Sequence, residues 1–185
     1  MKRFPQFAMA DLDPDQATVA RDVLAVSGLG LGGPYNVMLR SPRTARPLLE
    51  VVNHLRFEGT LPRRLVELTI LVQARLWNAQ VEWAAHEALA LAAGISPATC
   101  ATIRAGHKPA DLAADEDAAV DLLIELDQRH SVSDAVFERA RAQLTDAQIV
   151  DLVTLAGLYA TTAMVLATGD EPAPDGSRPF PTLQR

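Results

Sequence analysis

Apolar residues in this chain recur mainly at intervals of three and four rather than two, and no stretch reads convincingly as a strand. That spacing places apolar side chains on one face of an α-helix and predicts an all-α fold without strands. The punctuation between the apolar stretches is helical as well. Asp13-Pro14 reads as an N-cap with proline in the first turn of a helix running to about Ser27, where Gly28 stops it. Ser41-Pro42 repeats the signal for a helix to about Phe57, bent near Pro47. Pro62 opens the next helix, and Asn78 is the expected N-cap of one running to Ala93, stopped by Gly94. Ser96-Pro97 caps a short helix ending at Gly106; residues 115–129 and 133–144 form two more. Thr145 and Gln148 make a capping box for a long apolar helix that Gly169 terminates. Residues 1–169 therefore read as a single helical domain, and residues 170–185, with four prolines, as an extended tail.

Two segments invite other readings. Residues 28–34, GLGLGGP, formally contain G-x-G-x-x-G, but a dinucleotide site needs a strand before it and a helix straight after. Here a helix precedes and Pro34 follows, so the segment is expected to be a loop. Residues 152–168 carry no charge and approach the lower length limit for a membrane span. Four threonines and a glycine in this stretch, with Asp146 and Asp151 just before it, favour a helix buried in a core or between subunits over a membrane helix.

Composition narrows the function classes. A chain with 49% hydrophobic and 22% charged residues is globular rather than disordered. A net charge of -6 argues against general nucleic-acid binding. Cys100 is the only cysteine, which excludes an internal disulfide, a CxxC pair and a multi-cysteine zinc site. The first residues, with Pro5 and Gln6 breaking a short apolar run, lack a signal-peptide core, so a reducing cytoplasmic setting is expected.

The chemistry is concentrated in residues 61–96, two consecutive helices joined near Trp77-Asn78. Glu82 and His86 are four apart and so share a helix face. Glu67 lies among apolar residues on the preceding helix, from which it can point back at that face. A carboxylate beside an imidazole is a workable acid–base unit, because histidine exchanges protons near neutral pH and glutamate orients it and stabilises its cation. The same pattern also fits a surface pair, with Glu67 bridged to Arg64 or Arg75. A zinc reading of Glu67, Glu82 and His86 lacks the histidine-rich ligand set, and no H-E-x-x-H is present, so no metal is expected.

These residues resemble the carboxymuconolactone decarboxylase and alkylhydroperoxidase-D superfamily. Its redox branch has a glutamate, a CxxC pair beginning twelve residues on, and a histidine four after the second cysteine. Here Glu67 and His86 hold the glutamate and histidine positions, while Ala79 and Glu82 stand where the cysteines would be. Thiol peroxidase chemistry needs a thiolate and a resolving partner, so that activity is expected to be absent; Cys100 lies outside the pair and reads as a buried small side chain. The run Val81-Glu82-Trp83-Ala84-Ala85-His86 is similar to the E-W-x-x-H form of decarboxylase-like members. Residues 33–42, GPYNVMLRSP, resemble an N-terminal element of the same branch.

The resemblance implies an alkylhydroperoxidase-D-like helical bundle, assembled as homotrimers or hexamers. It also implies work on carboxylated products of aromatic ring cleavage. Such substrates are dianions, and Arg40 beside Tyr35 and Asn36 is the candidate clamp, with Trp83 as a pocket wall. The expected enzyme is a cofactor-free lyase or cis–trans isomerase in which His86 transfers or stabilises a proton while Glu82 or Glu67 sets its charge. The rivals are a non-catalytic binding or stress-related oligomer on the same scaffold, and residual peroxide chemistry through Cys100. The surplus of apolar helix surface, above all in residues 152–168, predicts self-association, and the resemblance implies that it occurs in threes or multiples of three. Light scattering that gives a monomer of 19.9 kDa at micromolar concentrations would defeat that expectation.

Overall fold

The computed structural model describes residues 2–28, 30–173 and 175–179. Leu29 of the glycine-rich loop lies outside the described residues, as do 174 and 180–185 of the expected tail. Among the described residues there are nine α-helices and no strand, as the apolar spacing requires: α1 (Pro14–Val26), α2 (Pro34–Met38), α3 (Pro42–Asn53), α4 (Arg63–Leu76), α5 (Gln80–Ala92), α6 (Pro97–Arg104), α7 (Ala114–Arg129), α8 (Asp134–Arg141) and α9 (Asp146–Gly169).

Three of the caps read from sequence form, whereas Ser41 stands at the N-cap of α3 without a side-chain cap bond. The Asp13 carboxylate accepts from the Gln16 amide at 2.8 Å, and the Gln16 side chain returns a bond to the Asp13 amide at 3.0 Å. The Thr145–Gln148 box opens α9 in the same reciprocal way, and Ser96 caps α6. Each such cap satisfies amides that the first helical turn would otherwise leave unpaired, worth about 1 kcal/mol.

Three other local features differ from expectation. Asn78 is not an N-cap; it adopts a left-handed conformation (φ 55°) between α4 and α5, and Ala79 occupies the cap position. Asparagine tolerates that region better than most residues. Pro34–Met38 is a short helix directly after the glycine loop. The helix expected to continue to Phe57 leaves α geometry at Asn53 and runs on as one π turn, His54–Glu58, which closes with Gly59 N donating to His54 O at 2.7 Å.

The core is organised around α4. Every residue of α4 from Leu65 to Arg75 is buried. It packs against α5, α9, α7 and α6, so even its polar residues Glu67, Gln73 and Arg75 are buried. A second, smaller apolar cluster (Val19, Ala20, Val23, Leu39, Ala45 and Leu49) joins α1, α2 and α3 into a layer over one side of this bundle. That layer is fastened by the chain's ends. The buried Asn36 side chain accepts from the Phe7 amide and donates to Glu171 Oε1 at 2.8 Å. Glu171 also pairs with Lys2 at 2.9 Å, and Arg3 bonds the last carbonyls of α9.

Helix α9 is long and apolar enough to cross a membrane by length and composition, but half of its most apolar window is buried inside the fold. Its inward residues, including Leu152, Leu155, Tyr159 and Leu166, belong to the core. Val150, Val153 and Met164 remain exposed on its outer face.

Where α9 meets α2, Gly169 has no room for a side chain. A Cβ there would lie 2.6 Å from Val37 Cγ2. Gly169→Ala is expected to lower stability by about 1–2 kcal/mol in denaturant unfolding, because the overpacking exceeds the gain in helix propensity. An alanine variant as stable as wild type would show that α2 yields freely at this contact.

Candidate active site

Glu67 is fully buried on α4, and both of its oxygens are engaged. Oε2 lies 2.8 Å from His86 Nδ1 on α5, and Oε1 lies 2.7 Å from the guanidinium of Arg63 one turn earlier on α4. With a guanidinium at its other oxygen, the Glu67 carboxylate is an acceptor, and His86 directs its Nδ1 proton at it. The other ring nitrogen is thereby left as the basic one. The Tyr159 hydroxyl on α9 sits 3.2 Å from that Nε2, with its ring edge-on to the imidazole at 5.3 Å between centroids. Burial holds the Tyr159 phenol well above its usual value, so it keeps its proton and donates it to Nε2. Glu67, His86 and Tyr159 thus form one chain of hydrogen bonds across three helices.

The state of His86 is set by two opposing effects. Burial lowers its pKa, the Glu67 carboxylate works against that shift, and the net result lies below the ordinary imidazole value. At neutral pH His86 is therefore a neutral imidazole with a usable lone pair. Glu82, one turn away on α5, is in the reverse condition. It is completely buried, its Oε2 has no hydrogen-bond partner, and burial raises its carboxyl well above the usual carboxylate range despite the nearby positive charge of Arg56. Burial thus favours the un-ionised form of the Glu82 carboxyl.

Both groups line a cavity of about 520 Å³ between the α1–α3 layer and the bundle. Its walls are mainly aliphatic, from Val19 and Val23 of α1, Leu49 and Val52 of α3, Val81 of α5 and Leu158 of α9. Tyr35, Tyr159, Arg56 and Arg63 also border it. The chain has only two tyrosines, and both face this space.

The structure brings together His86, Glu67, Glu82 and Tyr35 from the sequence reading and leaves three expected binding residues elsewhere. Arg40 does not line the cavity. Its guanidinium bonds the carbonyls of Asn36 and Pro5 and stacks on the rings of Phe4 and Phe7, at 4.7 and 4.3 Å from their centroids. The N-terminal segment has claimed it as a structural cation. Asn36 is engaged by Phe7 and Glu171, and Trp83 is a core residue whose indole donates to Glu87 at 3.1 Å. Cys100 is buried in α6 away from the cavity, and burial raises its thiol above the ordinary value. Among the described residues no group of three or more His, Cys, Asp and Glu side chains is placed to hold a metal ion. Sequence reasoning missed Tyr159 and Arg56. A tyrosine inside the charge-free, largely apolar stretch 152–168 is the available signal for the first.

The Glu82 assignment has a thermodynamic consequence. The folded chain holds a proton at Glu82 that the unfolded chain releases above about pH 4.3. Stability therefore declines as pH rises from the ordinary carboxylate range toward the raised folded-state value. Glu82→Gln keeps the shape and cannot ionise. It is expected to melt at a higher temperature than wild type at pH 8, with the difference shrinking toward pH 4. A variant that melts lower than wild type at pH 8 would mean that Glu82 is an ionised, paired carboxylate.

No known family pattern matches this chain, and no curated protein matches it in sequence. Solved structures do. One, from Ralstonia eutropha JMP134, is described as an alkylhydroperoxidase AhpD core and an uncharacterized peroxidase-related protein. It superposes with a TM-score of 0.79 at 18% identity over 98% of both chains. An uncharacterized peroxidase-related protein from Silicibacter sp. TM1040 superposes with a TM-score of 0.70 at 16% identity, over 92% of this chain and 94% of that one. With likenesses of that extent over nearly its whole length, this chain has the fold of the alkylhydroperoxidase AhpD core.

Proposed function

We propose that this chain is a proton-transfer enzyme, an isomerase of a conjugated carbonyl compound that carries a carboxylate, with His86 as base and Glu82 as acid. The observation that supports it is the placement of the two groups one helical turn apart in one apolar cavity, where burial favours the unprotonated imidazole and the protonated carboxyl. Groups whose environments set base and acid apart in this way are the working pair of an enolisation.

The steps balance without loss of atoms. A proton leaves the carbon next to the substrate carbonyl and reaches His86 Nε2 through the Tyr159 hydroxyl, which passes on its own proton. The C–H electron pair becomes the new carbon–carbon double bond of an enol, and Glu82 supplies the proton for the carbonyl oxygen. Glu67 compensates the imidazolium charge. In the return step the imidazolium proton is delivered, again through Tyr159, to the vinylogous carbon or to the first carbon after rotation. Glu82 recovers its proton from the enol oxygen. The product differs only in double-bond position or geometry. Decarboxylation by the same parts is less well served, because the resting Nε2 carries no proton to give to a carbanion. Thiol-based peroxide reduction has no place in this reading, since Ala79 and Glu82 stand at the sulfur positions and Cys100 is outside the cavity.

His86→Ala should lower turnover by about 10²-fold or more with the fold retained, and His86→Gln should recover little. Glu67→Gln should lower it by about tenfold or more by freeing the imidazole to adopt the wrong tautomer. The rate should rise on the acid side as His86 loses its proton, at a pH below the ordinary imidazole value. It should fall on the alkaline side as Glu82 ionises, well above the ordinary carboxylate range. The assay follows a panel of oxo-dienoate and muconolactone-type acids by NMR, with carbon dioxide measured in parallel. Constant mass with altered double-bond signals supports the isomerase, and carbon dioxide release would replace it with a lyase. Equal turnover by wild type and His86→Ala, or saturable binding without turnover, would overturn the site assignment.

A further inference from the structure

We propose that Arg56 receives the carboxylate of a singly charged acid whose apolar body fills the cavity. This deepens the proposed reaction and rests on it only for which end of the acid faces His86.

Two guanidinium groups border the cavity, and their circumstances differ. Arg63 is committed to Glu67 Oε1 at 2.7 Å, and a second of its nitrogens donates to the Arg56 carbonyl at 3.2 Å. Arg56 has no carboxylate within ion-pair distance and no side-chain hydrogen bond among the described residues. Its Nε is buried and without an acceptor, while the guanidinium lies 4.9 Å from the Phe57 ring. A buried donor on a charged group is costly to leave unpaired, so an unfilled guanidinium facing a cavity marks a place for an anion.

The position of Arg56 indicates how the anion sits. It borders both the inner cavity and a second hollow of about 310 Å³ formed with Leu55, Phe57, Gly59, Leu61 and Arg63. It is carried by the π turn His54–Glu58, and π turns within helices frequently occur where a side chain serves a site. The carboxylate is thus held at the mouth, and the rest of the molecule extends inward among the aliphatic walls toward His86.

Charge bookkeeping sets the number of carboxylates at one. For the remaining ionisable groups on the wall, Tyr35, Glu82, His86 and Tyr159, burial disfavours the charged form. One cation lacks a partner, so one anionic group is matched. A second carboxylate would lie among hydrocarbon and an un-ionised glutamic acid, losing its hydration without a counter-charge. The dianionic ring-cleavage product expected from sequence therefore fits this cavity less well than an aliphatic or aryl monoacid. A carboxylate held on Arg56 is also kept rather than expelled, in line with isomerisation.

The test is calorimetric titration of the intact protein with decanoate, decanol and decanedioate. Decanoate should bind saturably, one per chain, with decanol and decanedioate about tenfold weaker or more. Arg56→Gln should weaken decanoate by about tenfold or more, Arg56→Lys by less, and Arg43→Gln on the exposed face of α3 not at all. Circular dichroism of each variant establishes that the fold is intact. Decanedioate binding as tightly as decanoate, an Arg56→Gln variant with wild-type affinity, or no decanoate binding would overturn the assignment. Loss of turnover in His86→Ala bears only on the reaction, whereas Arg56-independent decanoate binding beside His86-dependent turnover would sink the carboxylate site alone.

Discussion

A fully buried carboxylate must be neutralised where it stands, and Glu67 meets that requirement by drawing Arg63 and His86 to its two oxygens. The cost of stripping water from the charge is recovered only when both partners are in place. Arg63 follows from the helix itself, being four residues earlier on the same face. His86 must come from another element, so α5 is docked on α4 in one register, with His86 facing Glu67. That register also fixes which side of α5 faces the cavity. Glu82 is delivered there with His86, and Trp83 is turned into the core.

The same interaction sorts the chemistry. Burial alone favours neutral forms of both His86 and Glu82, yet the outcomes are opposite in kind. For histidine the neutral form is a base; for a carboxyl it is an acid. A water-poor cavity thus makes complementary catalysts from two residues on one helix. Glu67 adds direction, because its hydrogen bond to Nδ1 leaves Nε2 as the basic nitrogen. Tyr159 then connects that nitrogen to α9, so the long apolar helix has a polar task at its centre as well as a packing role.

Local chemistry was legible in the sequence, and long-range choice among equivalent residues was not. The caps at Asp13, Ser96 and Thr145 depend on neighbours three residues away and form as read. Glu67 and His86 were recognisable because they sit at matched places on consecutive helices, and the superfamily likeness gave that spacing meaning. Which glutamate meets His86 was open from spacing alone; Glu82 is on the imidazole's own helix and turns to the cavity instead. Arg40 beside Tyr35 looked like a clamp, but the phenyl rings and carbonyl of an N-terminal segment more than thirty residues away take it up. Arg56 and Tyr159 carry no local mark of their role. One depends on a π turn, which has no composition rule, and the other on a contact 73 residues distant in sequence.

The fastening of Asn36 to Glu171 has a consequence for how the molecule is made. A ribosome delivers α1 to α3 first, and they carry a small apolar cluster of their own. The groups that lock this layer in place, the last carbonyls of α9 and the Glu171 carboxylate, emerge more than 110 residues later. One wall of the cavity therefore waits, unsecured, until α9 and Glu171 have been synthesised, and loop closure over that span is among the slower steps of folding. Until then the aliphatic faces destined for the cavity are open to other chains. The nascent protein's vulnerability to aggregation is thus concentrated in the surfaces that later confine its substrate.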